Sequence, residues 1–218
     1  MDIKACIFDL DGVIVDTAKY HFIAWREIAL DLGFEFTELH NEKLKGISRM
    51  RSLEILLDVG GIILDDPAKE ILADRKNKDY LKYVLQMTPA EILPGSKEFL
   101  LELKKLGIKT ALGSASKNAM TILDRLKITH LFDAIVDGTK VLKAKPDPEI
   151  FLTGAEYLNI SPANCIVFED AEAGIEAAIA AGMRCVGIGN SEVLWRANWI
   201  IRGFQNFSIT TLNDLIKS

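Results

Sequence analysis

Two carboxylates stand two positions apart at Asp9 and Asp11, straight after the apolar run Ala5-Cys6-Ile7-Phe8 and straight before Gly12. The run reads as a buried strand. Unpaired carboxylates inside an apolar core are very costly. The pair is therefore expected just past the strand's C-terminal end, where open parallel sheets hold their ligands, with Gly12 allowing the turn. A second acidic pair, Glu169-Asp170, follows the apolar run Cys165–Phe168 in the same way. Between them, the run Ile108–Leu112 leads into Ser114-Ala115-Ser116-Lys117-Asn118, small and hydroxylated, at the opening of a predicted helix. Backbone N–H groups at such a start suit a phosphate. Lys145-Pro146-Asp147-Pro148 holds a cation at a rigid turn. Taken singly, these pieces have plainer readings: a turn at Asp9–Gly12, a helix N-cap at Ser114–Asn118, a solvated Lys145, helix capping at Glu169-Asp170. Together, four carboxylates, one lysine and a hydroxylated loop, all at strand ends, describe a site for Mg2+ and a phosphoryl group.

The elements that must position these groups alternate. Strand-like runs fall at 3–8, 108–112, 134–136, 165–168, 185–188 and, weakly, 199–201. Helical patterns lie between them at about 96–106, 117–127, 147–158, 171–181 and 211–217. This argues for an α/β fold, a Rossmann-like parallel sheet with helices on both faces. Residues 16–87 break the rhythm and read as helices throughout, over about 17–32, 38–44, 47–59 and 66–86. They are expected to form an inserted α-helical cap domain, with 1–15 and 88–218 making the α/β core.

Composition sets further bounds. Apolar residues make up 49% of the 218, charged residues 26%, and the net charge is −5. That balance suits a globular protein and offers no surface for nucleic acid or an anionic membrane. No stretch supplies the roughly 18 uninterrupted apolar residues of a membrane span, and the apolar run after Lys4 is cut too early for a signal peptide. Cys6, Cys165 and Cys185 all lie in strand-like runs, too scattered for zinc. Buried free thiols imply a reducing, cytoplasmic setting.

The ordered motifs DLDGV at 9–13, Ser114 at a strand end, KPDPEIF at 145–151 and EDAEAG at 169–174 resemble the haloacid dehalogenase superfamily of aspartate-nucleophile phosphotransferases. The resemblance covers nearly the whole chain, and the helical insertion is similar to the cap of one of its subgroups. It implies that Asp9 is the nucleophile and Asp11 the general acid/base. It implies that Mg2+ is held by the Asp9 carboxylate, the Asp11 backbone carbonyl and Asp170, with Glu169 direct or through water. Ser114, the Ala115 N–H and Lys145 would hold the transferring phosphoryl group. Ala171 stands where relatives commonly carry serine.

Three features of the insertion narrow the reading. Thr17, His21 and Trp25 recur every four residues on one helix face near the hinge, and Asp16 or Thr17 can cap that helix. Leu44-Lys45-Gly46-Ile47-Ser48-Arg49 is a basic, glycine-containing helix junction, and Arg75-Lys76-Asn77-Lys78 adds charge. Together they imply a cationic underside to the cap. A packed or solvated histidine, a core tryptophan, a surface loop and a solvated helix face are the plainer alternatives. The stretches DTAKYHFIAW, LKGISR, RKN and SASKN resemble the β-phosphoglucomutase family. That resemblance implies that His21 and Lys76 orient Asp11, with Thr17 backing the hinge movement. Arg49 with Ser116, Lys117 and Asn118 would grip the phosphate that is not transferred. Lys45, Gly46 and Ile47, with Trp25, would face the sugar. The implied reaction is β-glucose 1-phosphate to glucose 6-phosphate, with glucose 1,6-bisphosphate as intermediate and activator. The implied partners are small sugar phosphates acted on by a monomer. A Mg2+-dependent phosphatase of sugar phosphates or phosphoglycolate, using the same Asp9, is the rival. A non-catalytic phosphate-binding module is the third reading, and Asp9 and Asp11 argue against it.

Overall fold

The continuous apolar runs pair side by side, because strands apolar at every position can be buried only in a sheet covered on both faces. In the computed structural model, which describes residues 3–217, six parallel strands form one sheet in the order β3-β2-β1-β4-β5-β6. They are β1 (Ala5–Phe8), β2 (Lys109–Gly113), β3 (Ala134–Val136), β4 (Cys165–Glu169), β5 (Arg184–Ile188) and β6 (Trp199–Ile201). Helices α5 (Ser96–Lys105), α6 (Ala119–Leu126) and α9 (Ile209–Lys217) contribute to the apolar cluster that takes Cys6 and Phe8 of β1. Helices α7 (Glu149–Leu158) and α8 (Glu172–Ala180) contribute to the cluster that takes Ala5 and Ile7. The doubly covered parallel sheet read from the sequence is thus borne out.

Between β1 and β2 lie α1 (Ala18–Asp31), α2 (Glu38–Glu42), α3 (Arg49–Gly60) and α4 (Asp66–Val84). Trp25, Ile28, Phe36, Leu53, Leu56 and Leu57 give these helices an apolar cluster of their own. Local signals set their starts: Thr37, Ser48 and Asp65 each accept a backbone N–H three residues on, the usual N-cap bond. At α1 the first of the two capping candidates takes the bond. Asp16 accepts the Ala18 N–H at 3.1 Å, whereas the Thr17 hydroxyl turns away and donates to Asp11. The chain's two crossings between the sheet and these helices run side by side. Val15 bridges Ile92, the Leu93 N–H donates to the Ile14 carbonyl at 2.9 Å, and the Ser96 hydroxyl donates to the Val13 carbonyl at 3.0 Å. Of the segments 1–15 and 88–218, residues 1, 2 and 218 lie outside the described residues.

Several strand boundaries differ from expectation: β2 spans Lys109–Gly113 rather than 108–112, and β5 starts at Arg184 rather than residue 185. β1 begins at Ala5 rather than residue 3, and β4 runs one residue further, so Glu169 is its last member. All three cysteines are buried free thiols. Among the described residues no helix is long and apolar enough to cross a membrane.

Candidate active site

Sheet register creates the acidic centre. Phe8 pairs with Phe168, and the Asp9 N–H donates to the Phe168 carbonyl at 3.0 Å, so Asp9 emerges beside Glu169. The two phenylalanine rings stack at 4.9 Å beneath them, in a cluster with Phe99 and Phe204. Such pairs add about 0.5–1.5 kcal/mol each beyond burial and stiffen the floor of the site. β1 and β4 flank the place where the strand order reverses, the usual ligand crevice of such sheets.

Oxygens of Asp9, Glu169 and Asp170 lie within 4.8 Å of one another. Lys145 bridges two of them, its Nζ 2.6 Å from Asp9 Oδ1 and 2.8 Å from Glu169 Oε2, and all three side chains are buried. Glu169 also accepts the Ala171 N–H at 3.1 Å through its other oxygen. A carboxylate as the last residue of a buried strand is tolerable because it is paired. Gly12 is required beside them: its φ is +76°, and a Cβ there would fall 2.0 Å from a carboxylate oxygen of Asp170. Burial, then the Asp9 charge, pushes Asp11 up to about 7, against the hydrogen bond from Thr17. Burial, then Glu169 and Asp9, raises Asp170 well above the usual carboxylate range. Desolvation opposes the charge on Lys145, but Asp9 and Glu169 outweigh it and keep the amine protonated. Crowded, desolvated carboxylates with one cation among them are the donor set that a hard divalent ion fits.

A cavity of about 630 Å³ joins this centre to the helices of the insertion. From α1, His21 points into it with Nδ1 2.7 Å from the Lys76 Nζ of α4. Burial, then Lys76, holds the imidazole neutral by depressing its pKa, and burial brings Lys76 down to about 7. The Lys76 amine and Nδ1 share one hydrogen bond, and with the amine as donor Nε2 carries the ring proton. Arg49, half-buried at the N-terminus of α3, makes no ion pair among the described residues and lines the same space. On the sheet side, Ser116 and Asn118 continue a nested turn: Ser114 Oγ accepts the Ser116 N–H, and Ser116 Oγ accepts the Asn118 N–H. The Ala115 N–H makes no hydrogen bond among the described residues.

The structure gathers the sequence-selected residues unequally. Asp9, Asp11, His21, Trp25, Lys76, Lys145 and Asp170 line the cavity, as do Lys45, Gly46, Ile47 and Arg49. So do Ala115, Ser116, Lys117 and Asn118. Thr17, Ser114 and Glu169 stand behind it, fully buried and bonded to Asp11, the Ser116 N–H and Lys145. Trp25 is buried to 1%, and its ring faces the Lys76 amine at 4.7 Å. The basic run at 75–78 is not a uniform cationic face. Arg75 is tied on the surface to Asp31 and Asp79, and Lys76 and Asn77 are the members that enter the cavity. At the helix junction Gly46 has φ +72°, and a Cβ there would lie 2.8 Å from Ala171 Cβ. The departure from serine at 171 thus lies where the insertion touches the acidic centre.

Of the lining residues to which the sequence reading gave no role of their own, Tyr80 and Asn77 make specific contacts. Tyr80 stacks on His21 with ring centroids 4.2 Å apart. Asn77 accepts from the Asn118 amide at 2.8 Å, joining α4 to the start of α6 across the cavity. Spacing alone would have reached Tyr80, four residues from Lys76 on the same helix face; no local signal marks Asn77's partner.

Comparison with known proteins agrees with this geometry. A haloacid dehalogenase-like hydrolase family model matches residues 3–182. The chain is 47% identical over 213 residues to the β-phosphoglucomutase of Bacillus subtilis, covering 97% of this chain and 94% of that protein. It is 35% identical over 196 residues to a phosphorylated carbohydrates phosphatase of Thermotoga maritima, covering 86% of each. Among solved structures, a β-phosphoglucomutase from Clostridium difficile superposes with a TM-score of 0.94 at 43% identity, over 99% of this chain and 97% of that one. The chain belongs to the haloacid dehalogenase-like hydrolase family, in the company of its β-phosphoglucomutases.

Proposed function

We propose that this protein is a phosphosugar mutase that interconverts β-D-glucose 1-phosphate and β-D-glucose 6-phosphate through glucose 1,6-bisphosphate and a phosphorylated Asp9. The observation that carries the reading is the shared cavity. At one end it holds a carboxylate nucleophile with a cation beside it, and at the other an unpaired Arg49 with the hydroxylated loop 116–118. A substrate bearing phosphates at two ends of a sugar needs both. The kinship with β-phosphoglucomutases points to the same chemistry.

Asp9 attacks phosphorus, and Lys145 balances charge at the nucleophile and the transferring oxygens. Asp11, near neutral in its proton affinity, takes the proton of the attacking sugar hydroxyl and later returns one to the leaving oxygen. His21, neutral and carrying its proton on Nε2, is a donor on the sugar side, steadied by Lys76. Arg49 with Ser116, Lys117 and Asn118 anchors the second phosphate, and Lys45 to Ile47 border the sugar. Asp9 and Asp170 would hold Mg2+, with the Asp11 carbonyl as the third protein ligand that the family resemblance implies. Glu169, whose two oxygens bond Lys145 and the Ala171 N–H, would stand beside it and add negative charge. The ion's contribution is to neutralise nucleophile and phosphate oxygens so that two anions approach. Residues 16–87 act as the cap of the core formed by 1–15 and 88–218, and the paired crossings near Val15 and Ile92 act as its hinge.

A sugar phosphatase uses the same Asp9 with water as acceptor, and the phosphatase among the relatives supports it as the second reading. Product analysis separates them. With Mg2+, β-glucose 1-phosphate and a trace of glucose 1,6-bisphosphate, the expected product is glucose 6-phosphate. Inorganic phosphate as the main product would contradict the mutase reading.

A further inference from the structure

Hydrogen bonds between the insertion and the core gather at the two crossings, where Thr17 donates to Asp11 and Tyr20 to Glu91. Among the described residues one more joins the two parts away from the crossings: the Asn118 amide donates to the Asn77 side-chain oxygen at 2.8 Å. It links the middle of α4 to the residue preceding α6, and both side chains are half-buried and line the cavity. An amide pair open to water adds only modestly to folding stability. Its place in the chain matters more. Asn118 belongs to the turn assigned to the second phosphate, and its backbone N–H is already given to Ser116 Oγ. Asn77 follows Lys76, whose amine lies 2.7 Å from His21 Nδ1. One bond therefore connects the anion-binding turn of the core to the helix that sets His21.

We propose that Asn77 is a positioning residue: by taking the Asn118 amide it clasps the insertion over a bound sugar phosphate and keeps water from phosphorylated Asp9. The inference rests on the reading of the chain as a mutase with its second phosphate at 116–118. A phosphate seated there orders Asn118 and favours the clasp, and by linkage the clasp favours the seated phosphate. The clasped α4 in turn holds Lys76 and His21 over the core. Whichever acceptor attacks, the bond between the Asp9 oxygen and phosphorus breaks and Asp11 takes the acceptor's proton; only the attacking oxygen differs. Closure thus decides between a sugar hydroxyl, which the clasp holds in place, and water, which it shuts out.

Asn77→Ala removes the acceptor, and alanine's better helix propensity offsets the lost bond, so the thermal midpoint is expected to stay within about 2 °C of the parent. The informative readout is the fate of the phosphoryl group. With Mg2+, β-glucose 1-phosphate and a trace of glucose 1,6-bisphosphate, the ratio of inorganic phosphate to glucose 6-phosphate is expected to rise roughly three- to tenfold, the equivalent of one such bond. Acetyl phosphate, with one phosphate and no sugar, cannot span Asp9 and the anchor. Its Mg2+-dependent hydrolysis should therefore stay within about twofold of the parent. An unchanged product ratio would mean that the contact does not govern closure, and equal losses on both substrates would make Asn77 merely structural; either overturns the proposal. The parent protein is the control on the underlying reading. If it forms glucose 6-phosphate and Asn77→Ala keeps the same ratio, only the present proposal falls. If the parent itself yields mainly inorganic phosphate, the mutase reading falls and this proposal with it.

Discussion

Lys145→Met tests how the acidic centre is held together. The side chains of Lys145, Asp9 and Glu169 are 0%, 5% and 0% exposed, and the amine bonds both carboxylates at 2.6 and 2.8 Å. Methionine keeps the length and most of the volume, so packing changes little. Charge changes completely. Removing one partner of a buried ion pair costs about 3–5 kcal/mol, and in a chain of this size each kcal/mol moves the thermal midpoint about 2–4 °C. The variant is expected to melt roughly 6–20 °C lower at pH 7.5 in a chelator. Two manipulations should recover part of the loss. At pH 5.5 the orphaned Glu169 carboxyl, already lifted to about 7 by burial, takes up a proton, which removes part of the uncompensated charge. Saturating Mg2+ supplies a substitute cation, worth about 2.7 kcal/mol at a hundred times its dissociation constant. The readout is differential scanning calorimetry of both proteins at the two pH values, with and without the ion. A variant melting within 1–2 °C of the parent at pH 7.5 without metal would refute the account of this triad.

Further outcomes follow from the same geometry. Gly12→Ala forces a side chain into a left-handed φ and onto the Asp170 carboxylate; Mg2+ should bind at least tenfold more weakly by titration calorimetry, and parental affinity would contradict the assigned closeness. The metal-free protein should lose stability as pH rises from about 4.5 to 7 through Glu169 and Asp11. Their carboxyl pKa values, lifted by burial to about 7 from 4.5 and 3.8, make the folded state bind more protons than the unfolded one across that window. Urea titrations at pH 5 and 7.5 check the sign, which Mg2+ should reverse. His21→Ala should slow sugar phosphorylation at least tenfold while shifting the thermal midpoint by only a few degrees; full turnover would remove His21 from the proposed role.

The sheet was legible in the sequence because its strands are apolar at every position and end in charge. Those ends also located Asp9, Asp11 and Asp170, since a buried strand cannot carry such groups further without partners, whereas Lys145 lies in the loop between β3 and α7 and was marked by its Pro-rigid turn. Glu169 shows where that logic stops. It sits inside β4 because Lys145, 24 residues away in sequence, neutralises it, and no local pattern reveals a partner that distant. Thr17 read as a cap by position, yet its hydroxyl goes to Asp11. Spacing placed Trp25 on the His21 face without disclosing that Lys76 covers its ring. Tyr80, and the partner of Asn77, were hidden in a long, polar helix whose inward residues are chosen by what lies across the cavity.

The central claim is that Asp9 carries the phosphoryl group and passes it to a sugar in preference to water. Rapid-quench labelling with glucose 1,6-bisphosphate radiolabelled in both phosphates tests it directly. Label is expected on the parent protein and absent from Asp9→Asn. It should leave the isolated phosphoprotein orders of magnitude faster when β-glucose 1-phosphate is added than in buffer alone. Labelling of Asp9→Asn, or loss of label to water at one rate with or without the sugar phosphate, would contradict the account.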